Sequence, residues 1–82
     1  MDCKERLLRD IAFIHATEMS MVRIREGLNL PLDIDPVEYV KEKLHDPICK
    51  VYKTNTSFYA HWKDEKYTIT VKDLLIITAK HY

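Results

Sequence analysis

The spacing of apolar residues changes once along this chain, near Ile48, and the change restricts the folds that the sequence can adopt. Before Ile48 the apolar residues recur at helical spacing, and after it four segments alternate with a period of two. These later segments are rich in aromatic and β-branched residues, which favour strands. The sequence therefore predicts an α+β fold in a single domain of residues 1–82. Two to three N-terminal helices (about residues 3–45) precede a three- to four-stranded antiparallel β-meander (about residues 48–81).

The first two helices are predicted from apolar spacing and capping residues. A first helix, with Asp2 as its cap, carries Leu7, Leu8, Ile11 and Ile14 on one face. A second helix is expected to begin after the hydroxyl N-cap Thr17 and to bury Met21, Val22 and Ile24. It is expected to end near Gly27, the only glycine, in the left-handed conformation that glycine adopts easily. The same pattern also fits one kinked helix.

The third helix has the clearest start and stop signals. Asp35 is a suitable N-cap, Pro36 occupies the first helical position, and Glu38 is placed to complete a capping box. Asp46 and Pro47 should end the helix, because a residue before proline avoids the α conformation.

Short connections between the strands predict antiparallel pairing, and the predicted turns set its register. A turn centred on Asn55 would place Cys49 opposite His61 and Val51 opposite Tyr59. The following hairpins would place Trp62 opposite Tyr67, Phe58 opposite Val71, Val71 opposite Leu74 and Ile69 opposite Ile76. One sheet face, expected to lie under the helices, then carries Phe58, Ala60, Trp62, Tyr67, Ile69, Val71, Leu74 and Ile76. The opposite face, called the outer face here, carries Cys49, Val51, Tyr59, His61, Thr68, Thr70, Leu75 and Ile77.

The last predicted strand is apolar or β-branched on both sides, from Leu74 to Ala79. An apolar patch on the outer face would favour association with a partner or a second copy of the chain. The residues predicted to bind a partner there are Val51, Tyr59, His61, Thr68, Thr70, Leu75 and Ile77. The alternative is that the first helix folds over this face and buries it.

The charge balance bears on the class of partner. Thirteen basic residues match thirteen acidic ones, whereas nucleic-acid-binding domains are usually basic. This balance favours a protein partner or self-association over nucleic acid, although Arg6, Arg9, Arg23 and Arg25 could form a local basic patch. The sequence contains no apolar stretch of membrane-spanning length, and Cys3 and Cys49 fit free thiols of a cytoplasmic protein.

Candidate chemistry is sparse, so the sequence favours a protein without enzymatic activity, metal or cofactor. A thiolate–imidazole pair of Cys49 and His61 would also need an orienting group and an oxyanion donor. The histidines and cysteines lack the spacing of metal sites, and one glycine excludes a glycine-rich phosphate loop. An alternative reading takes His61, Lys80, His81 and Tyr82 as the candidate residues of an RNase.

Four segments carry a resemblance to a known family: IHATEMSMVRIREGLNL, VEYVKEKL, SFYAHW and ITVKDLLIITAK. Between about Ile11 and Lys80 the chain resembles domain-of-unknown-function family 3781, small proteins of bacteria and mobile elements. It departs from the family pattern with Lys80 in place of a histidine and Val40 in place of a cysteine. The resemblance implies helices followed by strands, and the family has no assigned activity.

The expected function is therefore that of a small non-enzymatic protein-interaction domain. It could act as a homodimer, or as an inhibitor of a host enzyme encoded by a phage or mobile element, such as an anti-defence or anti-CRISPR protein. The alternative is a toxin of the RelE/ParE type acting on RNA or on a nucleic-acid enzyme. That alternative is suggested by helices preceding a β-meander, and topology alone does not carry function.

Overall fold

A computed structural model describes residues 3–81 and confirms the α+β arrangement of helices followed by an antiparallel meander. The elements are α1 (Cys3–Arg9), α2 (Glu18–Leu28), α3 (Pro36–Leu44), β1 (Lys50–Lys53), β2 (Ser57–Trp62), β3 (Glu65–Thr70) and β4 (Ile76–His81). The sheet order is β1-β2-β3-β4, so each strand pairs with its neighbours in sequence.

The first helix is shorter than its apolar pattern predicts. It ends at Arg9 and is followed by a 3-10 turn, Ile11–Phe13, so α1 and α2 are separate helices. The predicted cap Asp2 lies outside the described residues. After the turn the chain meets the sheet: the His15 N–H donates to the Leu74 carbonyl (3.1 Å), and the Ile76 N–H donates to the His15 carbonyl (2.9 Å). These two bonds tie the helical half to the start of β4.

The second helix begins and ends close to the predicted positions, but a different residue forms its C-terminal cap. Thr17 caps it in a reciprocal capping box with Ser20. The helix ends at Leu28, near Gly27 as predicted, but the left-handed residue at its C-terminus is Asn29 (φ 55°), so the prediction that Gly27 adopts this conformation was wrong. Gly27 lies inside α2, where its backbone approaches β4. Val22, which was predicted to be buried, is 50% exposed.

The third helix begins with the predicted cap. The Asp35 carboxylate accepts hydrogen bonds from the Val37 N–H (2.9 Å) and the Glu38 N–H (3.3 Å). The Glu38 carboxylate, which was predicted to complete a capping box, lies 3.8 Å from the Lys41 ammonium. The helix ends at Leu44, just before the Asp46–Pro47 step.

The first hairpin differs from the predicted register by one residue. The Thr54 N–H donates to the Ser57 carbonyl (2.8 Å), which makes a two-residue turn. Val51 therefore pairs with Ala60, and Lys50 rather than Cys49 pairs with His61. Because side chains alternate between faces, the shift moves Cys49 and Val51 from the outer face to the helix-covered face.

The other two hairpins keep their predicted faces. The β2–β3 turn is tighter than expected, with Lys63 at φ 53°, and Trp62 pairs with Glu65. The pairs shift by two residues from the predicted register, which leaves each side chain on its predicted face. In the last hairpin Ile69 pairs with Ile76 as predicted, and a β-bulge follows, with Ile77 as the extra residue.

All three helices contribute to one core on one sheet face, which we call the inner face. The buried apolar residues are Leu7, Ile14, Ile24, Leu28, Val40, Leu44, Cys49, Phe58, Ala60, Tyr67, Ile69, Ile76 and Ala79. Leu7 of α1 and Phe58 of β2 line the same cavity of about 330 Å³. The first helix therefore covers the inner face, and the alternative that it buries the outer face is wrong.

Candidate functional site

The outer face carries a row of four basic side chains across the whole sheet. Lys50 of β1 pairs with His61 of β2, His61 pairs with Lys66 of β3, and Lys66 pairs with Lys80 of β4. Directly paired residues project from the same face, so these four side chains form one line perpendicular to the strands. We call this line the basic row.

A second row, one strand repeat away, combines aromatic and hydroxyl side chains. Tyr52 pairs with Tyr59, Tyr59 pairs with Thr68, and Thr68 pairs with Thr78. We call this line the tyrosine–threonine row. Tyr52 is 56% exposed. The outer face thus offers hydrogen-bond donors and an accessible aromatic ring beside the positive charges.

The two rows are in contact with each other. The Lys66 ammonium lies 5.0 Å from the centre of the Tyr59 ring, within the range of cation–π attraction. The Tyr52 and His61 rings meet edge to face, with centroids 5.6 Å apart. These contacts hold the aromatic and basic groups of neighbouring strands in a fixed arrangement.

Charge is separated between the two halves of the molecule, although the whole chain is neutral. Residues 48–82 contain six lysines and three acidic residues, a net charge of +3, and residues 1–47 carry the compensating −3. Among the described strand residues that share the outer face, none is acidic, because Glu65 faces inward. The outer face therefore presents positive charge without a neutralising carboxylate on its strands.

His61 is influenced by this environment. Partial burial, and secondly the neighbouring Lys66 ammonium, lower the pKa of His61 below its ordinary value of 6.5. The imidazole is therefore neutral at pH 7, and the three lysines supply the positive charge of the basic row.

The residues predicted to bind a partner are divided by the structure. Tyr59, His61, Thr68 and Thr70 lie on the outer face. Val51 does not: it pairs with Ala60 and packs against the core, for the reason of register given above. Leu75 and Ile77 are partly buried beside the bulge, so the apolar band expected there is smaller than predicted.

Four residues of the two rows were not among the predicted candidates: Lys50, Tyr52, Lys66 and Thr78. Thr78 reaches the outer face because of the β-bulge at Ile77, which no sequence signal indicated. Lys50 and Tyr52 were missed because the predicted register was shifted by one residue, which placed their side chains on the inner face. Lys66 was missed because it was assigned to a four-residue turn, whereas it lies in β3. The alternation of Lys66, Thr68 and Thr70 against Tyr67 and Ile69 was the available signal.

The candidate RNase residues are not gathered at one place. His61 and Lys80 lie in the basic row on the outer face. His81 pairs with the inward-facing Glu65, so it belongs to the other side of the sheet. Tyr82 lies outside the described residues.

His81 belongs instead to a polar cluster around the buried carboxylate of Glu65. The Tyr67 hydroxyl donates to Glu65 (2.5 Å), and the Tyr39 hydroxyl donates to both of its oxygens (3.0 and 2.9 Å). Burial, followed by these hydrogen bonds, raises the pKa of Tyr39 and Tyr67 above the ordinary value of 10.0. His81 Nε2 lies 4.0 Å from Glu65 Oε2, and His81 Nδ1 lies 3.3 Å from Asp64 Oδ2.

The side chains of Asp64, Glu65 and His81 place potential metal-ligand atoms within 4.8 Å of one another. Sequence spacing could not reveal this set, because pairing between β3 and β4 creates it. The Glu65 carboxylate is already engaged by two tyrosine hydroxyls. The cluster is therefore explained as a buried hydrogen-bond network that joins α3 to the sheet.

Cys49 and His61 do not form the thiolate–imidazole pair considered from the sequence. Cys49 is buried in the core, and burial raises the pKa of its thiol. His61 projects from the opposite sheet face.

The comparison with protein families agrees with this layout. The family described as "Protein of unknown function (DUF3781)" matches residues 8–80, nearly the whole chain. The chain belongs to the DUF3781 family. No curated protein and no solved structure matches it.

The family match to DUF3781 covers α2, α3 and all four strands except the last residue of β4. Both rows of the outer face therefore lie within the matched region. No helix among residues 3–81 of this DUF3781 protein is both long and apolar enough to span a membrane.

Proposed function

We propose that this DUF3781 protein is a non-enzymatic, cytoplasmic interaction domain that binds an anionic partner through its outer sheet face. The observation that carries the proposal is the basic row, with Lys66 directly opposite Lys80 and no acidic strand residue on the same face. Like charges directly opposite each other destabilise a sheet pair. A binding function accounts for an arrangement that the fold itself does not need.

The charge pattern favours a different molecule over a second copy of the chain. In a two-fold dimer the same patch meets itself, so an outer-face dimer would bring two basic rows together. The start of β4 is also engaged, because the Ile76 N–H donates to the His15 carbonyl, and α2 packs against the strand. A partner of opposite charge would neutralise the basic row. Its binding would neither bring two basic rows together nor displace these contacts of β4.

The proposal is tested by site-specific photo-crosslinking in cells. A photoreactive amino acid replaces the outer-face residue Tyr52 or, as a control, Met19 of α2, which is 71% exposed. We expect an adduct from position 52, none from position 19, and loss of the position-52 adduct when Lys66→Glu is added. Equal adducts from both positions, or none from position 52, would reject the outer face as the binding surface.

Light scattering over a concentration series tests the homodimer directly. We expect a monomer at all concentrations. A dimer that becomes a folded monomer with Leu75→Lys or Ile77→Lys would instead place self-association on the outer face.

An RNase of the toxin type is the second candidate function, and one observation favours it. The neutral imidazole of His61 lies in the same row as Lys66 and Lys80, so a proton acceptor stands beside groups that attract phosphate. The test is RNA cleavage by the purified protein, with His61→Ala and His81→Ala compared. Cleavage lost only in His61→Ala would support this candidate, and no cleavage by the unmodified protein would reject it.

A further inference from the structure

We infer that the anionic partner of the outer face is single-stranded nucleic acid. This inference rests on the proposed binding function and adds the chemical class of the ligand. The feature behind it is the placement of the tyrosine–threonine row directly beside the basic row on one sheet face.

The two rows match the two kinds of group that a single strand exposes. Lysine ammonium groups bind the phosphates, and tyrosine rings provide flat surfaces on which unpaired bases stack. Adjacent rows on one face are about 7 Å apart, and four strands span roughly 14 Å across the row. A short stretch of backbone can therefore follow the basic row while its bases reach the tyrosines.

The contacts between the two rows are consistent with lysines that bind phosphates and tyrosines that stack on bases. The 5.0 Å contact between Lys66 and Tyr59 shows that a cation is held against an aromatic ring before any ligand arrives. Tyr52 is more than half exposed and meets the His61 ring edge to face, so its ring is positioned and accessible. Aromatic side chains on the open face of a four-stranded antiparallel sheet are a general means of binding unstacked bases.

Two other anionic partners fit the face less well. In a duplex the faces of the bases are stacked on one another, so the tyrosine rings could not stack on them. An acidic protein would neutralise the lysines, but protein interfaces usually centre on buried apolar anchors. The middle of the outer face carries Thr68 and Thr70 instead, and Leu75 and Ile77 are already partly buried.

The test is fluorescence anisotropy with labelled oligonucleotides of about 12 nucleotides, single-stranded RNA and DNA, and a duplex of the same sequence. Titrations between about 50 and 200 mM salt give the dependence of the binding constant on salt. With three lysines contacting phosphates, the slope of log K against log salt should be about −2 for a single strand. We expect binding of single strands and clearly weaker binding of the duplex.

Variants separate the roles of the two rows. Lys66→Gln should weaken binding and reduce the magnitude of the salt slope by about 0.7. Tyr52→Ala should weaken binding about 5- to 150-fold, the effect of losing one stacked base, without changing the slope. Lys41→Gln, the same charge change in α3 on the other side of the molecule, should leave binding unchanged.

Three outcomes would overturn the inference: no binding of single strands, equal binding of the duplex, or competition by polyglutamate as effective as that by a polynucleotide. The last outcome would identify an acidic protein as the partner. The proposed function is judged separately by the photo-crosslink at position 52. A crosslink without oligonucleotide binding keeps the outer face as a binding surface and rejects nucleic acid, whereas absence of both rejects both.

Discussion

Gly27 of α2 lies so close to β4 that a Cβ atom at this position would overlap the carbonyl oxygen of Ala79. The absence of a side chain lets the helix backbone rest directly on the strand. Next to this contact, His81 Nε2 lies 3.4 Å from the Leu28 carbonyl. The single glycine therefore sets the distance between the last strand and the helix that packs along it.

Gly27→Ala tests this close approach. In an exposed helix the change would stabilise the protein by about 1 kcal/mol through helix propensity. Here the overlap with a strand carbonyl should cost about 1–3 kcal/mol, so we expect a net decrease in the free energy of unfolding measured in urea. Glu26→Ala, at an exposed neighbouring position, is the control and should not destabilise the protein. Unchanged or higher stability of Gly27→Ala would contradict the close packing of α2 on β4.

The hydrogen bonds to Glu65 predict a loss of stability in alkali. The pKa of Tyr39 and of Tyr67 is raised by burial and then by Glu65, so the folded state holds both protons more tightly than the unfolded state. Their contribution to stability is complete below the ordinary pKa of 10.0 and is lost as the pH rises above it. We expect the free energy of unfolding to fall above about pH 10. Absorbance titration should also show two tyrosines that ionise later than the others.

Tyr39→Phe isolates one of these groups. The variant removes a hydroxyl that donates to a buried carboxylate, and hydrogen bonds to charged groups contribute about 1.5–3 kcal/mol. We expect lower stability at pH 7 and a weaker decline of stability in alkali. Tyr52→Phe, with an exposed ring on the outer face, is the matched control. If the two variants behave alike at both pH values, the Tyr39–Glu65 hydrogen bond does not contribute to stability.

Asp46 predicts a second pH dependence, at the acidic end. Hydrogen bonds from the Ile48 N–H and then from the Trp62 indole lower the pKa of Asp46 below its ordinary value of 3.8. Its stabilising effect is therefore present above pH 3.8 and is lost as the pH falls through the lowered value. We expect Asp46→Asn to be less stable at neutral pH and to show a smaller loss of stability in acid.

The fluorescence of Trp62, the only tryptophan, reports on this contact directly. The indole Nε1–H donates to the Asp46 carboxylate (3.0 Å). We expect the emission of the folded protein to change when Asp46 is protonated or replaced, and to be unaffected by Asp33→Asn at an exposed position. Emission that is identical in Asp46→Asn and the unmodified protein would argue against this hydrogen bond.

The sequence was sufficient to predict the elements and their order, because local signals determine both. The caps at Thr17 and Asp35 start α2 and α3, and the change to a period of two marks the sheet. It was not sufficient for the strand register. The first turn is closed by the Thr54 hydroxyl, which accepts a hydrogen bond from the Ser57 N–H (3.1 Å), and this is not a strong turn signal in a sequence.

The outer face could be predicted only in part, because it depends on that register. Tyr59 and His61 were found because a shift of two residues in β2–β3 preserves the faces. The basic row was hidden, because its members come from four strands and only correct pairing aligns them. The neutral total charge did not indicate this row either, since opposite charges lie on different parts of the molecule.

The position of Cys49 gives a final prediction about reactivity. Burial raises the pKa of this thiol, and the thiolate is the reactive species, so Cys49 should react very slowly in the folded protein. In Cys3→Ser, where Cys49 is the only thiol, alkylation by iodoacetamide should require opening of the core and accelerate with subdenaturing urea. In Cys49→Ala the partly buried Cys3 should react faster and depend less on urea. Rapid alkylation of Cys49 without urea would contradict its placement in the core. It would also argue against the register of β1 on β2, on which the basic row depends.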